Sequence, residues 1–389
     1  MGAGLAEGQL LRRAKVLNGV DVLQRDVFEM LKGKRVGLIT NHTGITRDGR
    51  STWELLRGAE AVDLVALFSP EHGIHGTEDS EISSGRDERS GLMIYSLYEA
   101  SRKKPTKEQL TGIDALVFDI QDIGCRFYTY ISTMGLCMEA AEDAGIRFVV
   151  LDRVNPIGGN VVDGPVLDGE RSFTGFHEIP VRHGMTVGEM ARLFKMERFP
   201  KLDLQVVPIE GWRREMLFDQ TRLPWKNPSP NIRKLEQALL YPGVGLLEFT
   251  NLSVGRGTDS PFELVGAPFI DADQFSKALN EFGFRRISVT PARFTPTSSV
   301  FKGQSCGGVR LGLKEGAGEE SILLGIALAR TLHRMYAEEW NETNLNKLLV
   351  HPNTKSAILA GKTLAEIKAG WKTDLDAFMA RRATVLIYR

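Results

Sequence analysis

The chain has 389 residues, 42% hydrophobic and 25% charged, which is apolar material enough for two ordinary cores and unlike a long disordered or fibrous chain. Lys+Arg and Asp+Glu both total 49, so no long-range field favours a polyanion, nucleic-acid binding has little electrostatic basis, and a small or neutral ligand is the expected partner. The three cysteines, Cys125, Cys137 and Cys306, show no CxxC spacing and signal neither a disulfide framework nor a zinc site.

No apolar run approaches the roughly 20 residues that a membrane helix needs. Residues 1–15 lack the uninterrupted apolar stretch of a secretion leader, which leaves cytoplasmic and exported locations both open. Arg35–Thr40, Leu64–Phe68, Ala115–Phe118 and Phe148–Leu151 are near-continuous apolar runs, the pattern of parallel strands covered on both faces. Helices are expected between them at Thr52–Leu56, Leu97–Ser101 and Ser132–Ala144, the last ended by Gly145. The Gly/Pro-rich passage Asn155–Gly169 breaks the alternation, so two domains are expected, 1–168 and 169–389. In the second, Thr186 and Glu189 form a capping box opening a helix through about Met196. Turn-rich stretches follow at Pro224–Asn231 and Tyr241–Gly245, then strands at Phe262–Ile270 and Gly308–Leu313 and a helix at Ser321–Tyr336. The tail from Asn341 reads as a helical cover over a mixed sheet. The fold class is therefore α/β, a parallel sheet flanked by helices followed by a smaller mixed α/β domain.

Each apolar run is followed at once by polar residues: Asn41-His42-Thr43-Gly44, Ser69-Pro70-Glu71-His72-Gly73, Asp119-Ile120-Gln121-Asp122 and Asp152-Arg153-Val154-Asn155. In an open parallel sheet these ends share one edge, where such folds bind ligands. Any one of them could simply cap a helix or close an Asx-turn. Four together, with Glu beside His and the dense run Asp119–Tyr130 carrying Arg126 and Tyr128, point to a site for a sugar or carboxylate ligand. The second half adds polar loops bearing Asn231, Glu248, Asn251 and Arg256, which suit a substrate wall.

Glu71 follows Pro70, which stiffens its approach, and is the candidate general acid/base. Asp119, Asp122, Asp152, Glu248 and Glu263 are available as a second carboxylate. Spacing does not choose among them, because retaining and inverting glycosidases differ in a spatial separation, roughly 5 Å against 6.5–9.5 Å. Asp122 is taken as the second catalytic candidate. His42, His72 and His75 could instead serve a metal-dependent hydrolase, although Gly73 and Gly76 suggest a loop. No G-x-G-x-x-G follows the first strand and there is no P-loop or G-x-S-x-G elbow, so no cofactor and no serine nucleophile are expected.

In this order the motifs NHTG, SPEHGIHG, VFDIQDIGCRFYTYISTM, VLDRVNPIGG, GPVLD, IPVRHGMTVGE, NPSPNI, YPG, EFTNLSVGRGT and PFELVGAPFI, from Asn41 to Ile270, resemble the exo-β-N-acetylmuramidases of the NamZ type. The resemblance implies a Rossmann-like N-terminal domain, a smaller C-terminal α/β domain and a cleft between them that removes N-acetylmuramic acid from the non-reducing ends of peptidoglycan fragments. It implies Glu71 as the catalytic carboxylate, no metal, and an extracellular or periplasmic setting. Asn41, His42, His72, Asp119, Arg126, Tyr128, Asp152, Arg153, Asn231, Glu248, Asn251 and Arg256 are the expected substrate contacts, with Arg126 or Arg256 as partner for the lactyl carboxylate. The competing expectation is a non-catalytic module that binds the same saccharides.

Overall fold

The structure, a computed structural model, describes residues 15–71, 73–74, 84–87, 90–99, 103–314 and 317–389. In chain order the strands are β1 (Lys34–Thr40), β2 (Val62–Ser69), β3 (Gly85–Arg86), β4 (Met93–Ser96), β5 (Ala115–Asp119), β6 (Arg147–Leu151), β7 (Asp163–Val166), β8 (Pro180–Arg182), β9 (Leu204–Val207), β10 (Leu264–Ala267), β11 (Ile287–Phe294) and β12 (Cys306–Leu313). The helices are α1 (Gly19–Arg25), α2 (Thr52–Arg57), α3 (Tyr130–Ala144), α4 (Val187–Glu197), α5 (Leu235–Val244), α6 (Ala272–Asn280), α7 (Ser321–Met335), α8 (Asn346–Leu349), α9 (Pro352–Leu359), α10 (Leu364–Ala369) and α11 (Lys372–Ala383).

The four apolar runs are strands β1, β2, β5 and β6 of a seven-stranded sheet ordered β3-β4-β2-β1-β5-β6-β9, parallel throughout except for the β3–β4 pair. Their lack of polar alternation has a direct cause. Leu38, Leu67, Val117 and Val149 pack into a core with α1 and α2, while the next residue of each strand, Ile39, Phe68, Phe118 and Val150, packs into a second core with α3 and α4. Both faces are dry, so the middle of each strand is apolar on both sides, with charged residues only toward the ends. With β1 central and the chain running outward on either side of it, the carboxyl ends of the parallel strands share one edge.

The capping box opens α4 as expected, with Thr186 accepting from the Glu189 N–H. Two sequence expectations differ from the structure. Leu97–Glu99 is not helical, and the remainder of the expected second crossover helix lies outside the described residues. Tyr241-Pro242-Gly243, read as a turn, lies inside α5, where all residues from Gln237 to Val244 are buried. Packing overrides the poor helix propensity of Pro and Gly there. A Cβ on Gly243 would overlap the Ser321 carbonyl oxygen of α7, so the pair of helices can approach this closely only with glycine.

The passage 155–169 contains β7, which pairs with β8 further along the chain, and β9 then joins the edge of the parallel sheet beside β6. The parallel sheet therefore takes strands from both sides of the expected division at 168/169. Antiparallel β10, β12 and β11 form a second sheet, backed by α6, against which α7 packs. No helix among the described residues is long and apolar enough to cross a membrane.

Candidate active site

The strand ends do converge, but much of their polarity is spent on one another. Asn41 Oδ1 accepts from the Thr43 N–H at 2.9 Å and its hydroxyl at 2.6 Å, closing an Asx-turn, and Thr43 Oγ1 accepts from the Gln121 N–H at 2.9 Å. Asp119 and Arg153, both buried, pair through two bonds of 2.5 and 2.8 Å, and Thr52 donates its hydroxyl to the same carboxylate. Asp152 accepts from the N–H groups of Arg153 and Gly188 and the hydroxyls of Thr186 and Tyr388, tying the entry of α4 to the chain end. Burial nevertheless pushes its carboxyl up to about 7. The crevice between β1 and β5, where a doubly wound sheet would hold a dinucleotide, is thus filled by its own side chains.

Four further candidates lie away from the open cavity. Arg126 is fully buried and its terminal amines donate to the carbonyls of Pro165, Ile179, Leu348 and Leu349 at 2.6–3.2 Å, leaving none of them for a ligand carboxylate. It is a strut joining β7 and the β8 entry to α8. Asn251 is clipped at both ends of its amide, to Glu339 O and Asn341 N. His42 Nε2 lies 2.6 Å from Asn227 O. Asp122 is buried, with Oδ2 accepting from the Gly124 N–H at 2.7 Å and His183 Nε2 3.8 Å away. Desolvation raises Asp122 to about 7 and lowers His183 to about 3. His72 and His75 lie outside the described residues, and among those described no three of His, Cys, Asp and Glu gather as metal ligands.

What remains gathers around one cleft of about 1010 Å³ between the parallel sheet's long loops and the C-terminal half, lined by Glu71, Tyr128, Asn231, Glu248 and Arg256 among others. Glu71 comes from the turn after β2, and its Oε2 accepts the Thr129 hydroxyl at 2.5 Å from the entrance of α3. The floor is aromatic: Tyr128 meets Tyr130 edge-on at 4.9 Å, and Tyr241 meets Phe262 at 4.7 Å and Phe127 at 5.2 Å. The Tyr128 hydroxyl is buried with no hydrogen-bond partner among the described residues. Opposite, Glu248 Oε1 accepts from Arg256 Nε at 2.5 Å, with the Tyr241 hydroxyl 3.5 Å from Oε2.

The far wall joins two loops, Thr297 donating both its N–H and its hydroxyl to Gly257 O at 2.8 Å. Phe262 and Ser299 in this wall hold φ of 63° and 65°, strained for residues with a side chain. Sequence reading missed Thr129, Arg233 and the Thr295–Val300 loop. Thr129 stood inside a run already singled out, whereas Thr295–Val300 carries no periodicity that could reveal it.

Residues 36–236 match the family described as exo-beta-N-acetylmuramidase NamZ, N-terminal, and residues 239–388 its C-terminal counterpart. The chain belongs to the NamZ family. It is 42% identical over 389 residues to the peptidoglycan beta-N-acetylmuramidase NamZ of Bacillus subtilis (strain 168), covering 98% of this chain and 94% of that protein. Two crystal structures of DUF1343 family proteins from Bacteroides fragilis NCTC 9343 share the fold. One has a TM-score of 0.90 at 34% identity, covering 97% of this chain and 100% of its own. The other has a TM-score of 0.80 at 31% identity, covering 97% and 99%. The NamZ likeness spans both halves of the molecule and hence both walls of the cleft.

Proposed function

We propose that this protein is an exo-acting glycoside hydrolase that releases terminal, non-reducing β-linked N-acetylmuramic acid from peptidoglycan fragments, with Glu71 as general acid/base. The observation that carries the reading is the placement of the Glu71 carboxylate in the wall of an aromatic, hydroxyl-rich cleft, with one oxygen fixed by Thr129 at 2.5 Å and the other without a hydrogen bond to a described residue. A sugar on the tyrosine floor would present its glycosidic oxygen to that group, which protonates the leaving oxygen as the bond breaks.

The second carboxylate is better sought in the cleft than beneath it. Asp119 and Asp152 are consumed by internal hydrogen bonds, Asp122 is buried outside the cleft lining, and Glu263 is held by Lys234 and Gln237. Glu248 lines the cleft and is oriented by Arg256 and Tyr241, a position suited to steering water or stabilising the oxocarbenium-like charge.

Glu71→Gln is expected to lower turnover of a chromogenic β-N-acetylmuramide by roughly 10²- to 10⁴-fold while leaving the circular dichroism spectrum unchanged. Near-normal sugar release by this variant would remove Glu71 from the mechanism.

A further inference from the structure

A muramic acid ligand differs from the other amino sugar of peptidoglycan by one lactyl ether and its carboxylate, and a cation in the cleft is a direct means of recognising that group. Arg126 is buried, and both its terminal amines are already taken by backbone carbonyls. Among the described residues lining the cleft, the cations are Arg233 and Arg256. Arg256 already faces Glu248 at 2.5 Å and lies 5.6 Å from the Phe262 ring, so a ligand carboxylate brought there would meet Glu248 as well.

Arg233 stands differently. It is exposed to the cleft, and its Nε donates to Pro230 O at 2.9 Å while its backbone N–H donates to Gln237 Oε1 at 2.6 Å. The base and stem of the side chain are therefore fixed, and its two terminal amines make no hydrogen bond to a described residue. Gln237 is itself held by Glu263 at 3.1 Å. The loop carrying Pro230 is bolted to the catalytic side of the cleft, because the Tyr130 hydroxyl donates to Pro228 O at 2.8 Å and Tyr130 follows Thr129, the residue that fixes Glu71. Arg233 and Glu71 thus belong to one hydrogen-bonded frame.

From this geometry, and resting on the function proposed above, we infer that Arg233 is the specificity residue that receives the lactyl carboxylate and selects the acidic sugar. A planar guanidinium with both terminal amines available offers the two-pronged geometry that a carboxylate accepts.

The test compares two chromogenic substrates, a β-N-acetylmuramide with its free lactyl carboxylate and the same sugar with that group converted to a methylamide. The Arg233→Met variant should lower the acid-to-amide ratio of kcat/KM about ten- to hundredfold, the size of one lost charge-assisted contact. Arg233→Lys should recover part of the ratio, which a merely structural defect would not do. An unchanged ratio in Arg233→Met, or a collapse found in Arg256→Met instead, overturns the assignment. Failure of the wild-type protein to cleave either substrate would sink the proposed function itself, a result distinct from both.

Discussion

A carboxyl group kept from water is pushed toward its neutral form, and among the described residues Asp122 has no cation beside it to oppose this, only the backbone N–H groups of Ile123 and Gly124 and a neighbouring imidazole. That imidazole is itself uncharged at neutral pH, since burial and nearby arginines lower His183 to about 3. With His183 Nδ1 accepting from the Met185 N–H, the ring proton resides on Nε2. Asp122 thus titrates at about 7 in the fold against 3.8 when free, so the stability it contributes is fully present below pH 3.8 and is lost as pH rises through 7. Asparagine keeps the acceptor for Gly124 and cannot ionise. Asp122→Asn should therefore match the wild type at pH 4 and exceed it at pH 8, by a few degrees in Tm. His183 works in the opposite direction, adding stability above its ordinary value of 6.5 that is lost as pH falls toward 3, and this term is common to both proteins. Equal Tm differences at pH 4 and pH 8 would show that folding does not raise the Asp122 carboxyl above its free value. The same residue explains why only part of the site was legible. A polar side chain after a strand looks alike in sequence whether it lines the cleft, as Tyr128 does, or closes the protein on itself, as Asn41, Asp119, Arg126 and Asp152 do.

At the scale of elements, the strands were readable because burial on both faces writes an uninterrupted apolar run, and α4 because its capping box is local. Helix α5 was not. Its sequence reads as a turn, and only the approach of α7 makes a helix with Pro242 and Gly243 inside it favourable. A Cβ built on Gly325 of α7 would in turn overlap the Gly243 carbonyl oxygen, so the two glycines make a mutual close crossing. Helix α5 also carries Tyr241 in the cleft, packed against Phe127 and Phe262. Gly243→Ala should then act twice, lowering stability by about 1–3 kcal/mol as the helices part and raising KM as Tyr241 shifts. Chemical denaturation and steady-state kinetics on the same preparation check both. An unaltered midpoint would mean that the helices separate without cost, and an unaltered KM that the tyrosine does not touch substrate.

At the scale of the molecule, the family boundary near residue 237 does not coincide with a break in the packing. One hydrophobic core runs from Phe118 and Phe148 of the parallel sheet, through α3 and α4, to Leu328 of α7 and Phe378 of α11. The chain end then returns to the first half. The Tyr388 hydroxyl donates to Asp152 Oδ2 at 2.6 Å and accepts from the Ile209 N–H at 2.8 Å, while the Ile387 N–H donates to Glu189 at 2.9 Å. Arg382 donates to the Gly184 carbonyl at 2.8 Å. Without the C-terminal half, apolar surface on α3 and α4 would face water, and the buried Asp152 and Glu189 would lose partners. Each unsatisfied group of this kind costs about 1–3 kcal/mol, against a total stability of about 5–15 kcal/mol for a domain. Residues 15–236 expressed alone should therefore lack a cooperative unfolding transition and bind a hydrophobic dye, although they contain Glu71 and every strand of the parallel sheet. Co-expression with residues 237–389 should restore both cooperativity and activity, because Glu71 and Thr129 lie on one fragment while Glu248, Arg256 and Tyr241 lie on the other. A sharp, dye-free transition from the first fragment alone would refute this dependence, and would make the cleft a junction between two units that fold independently.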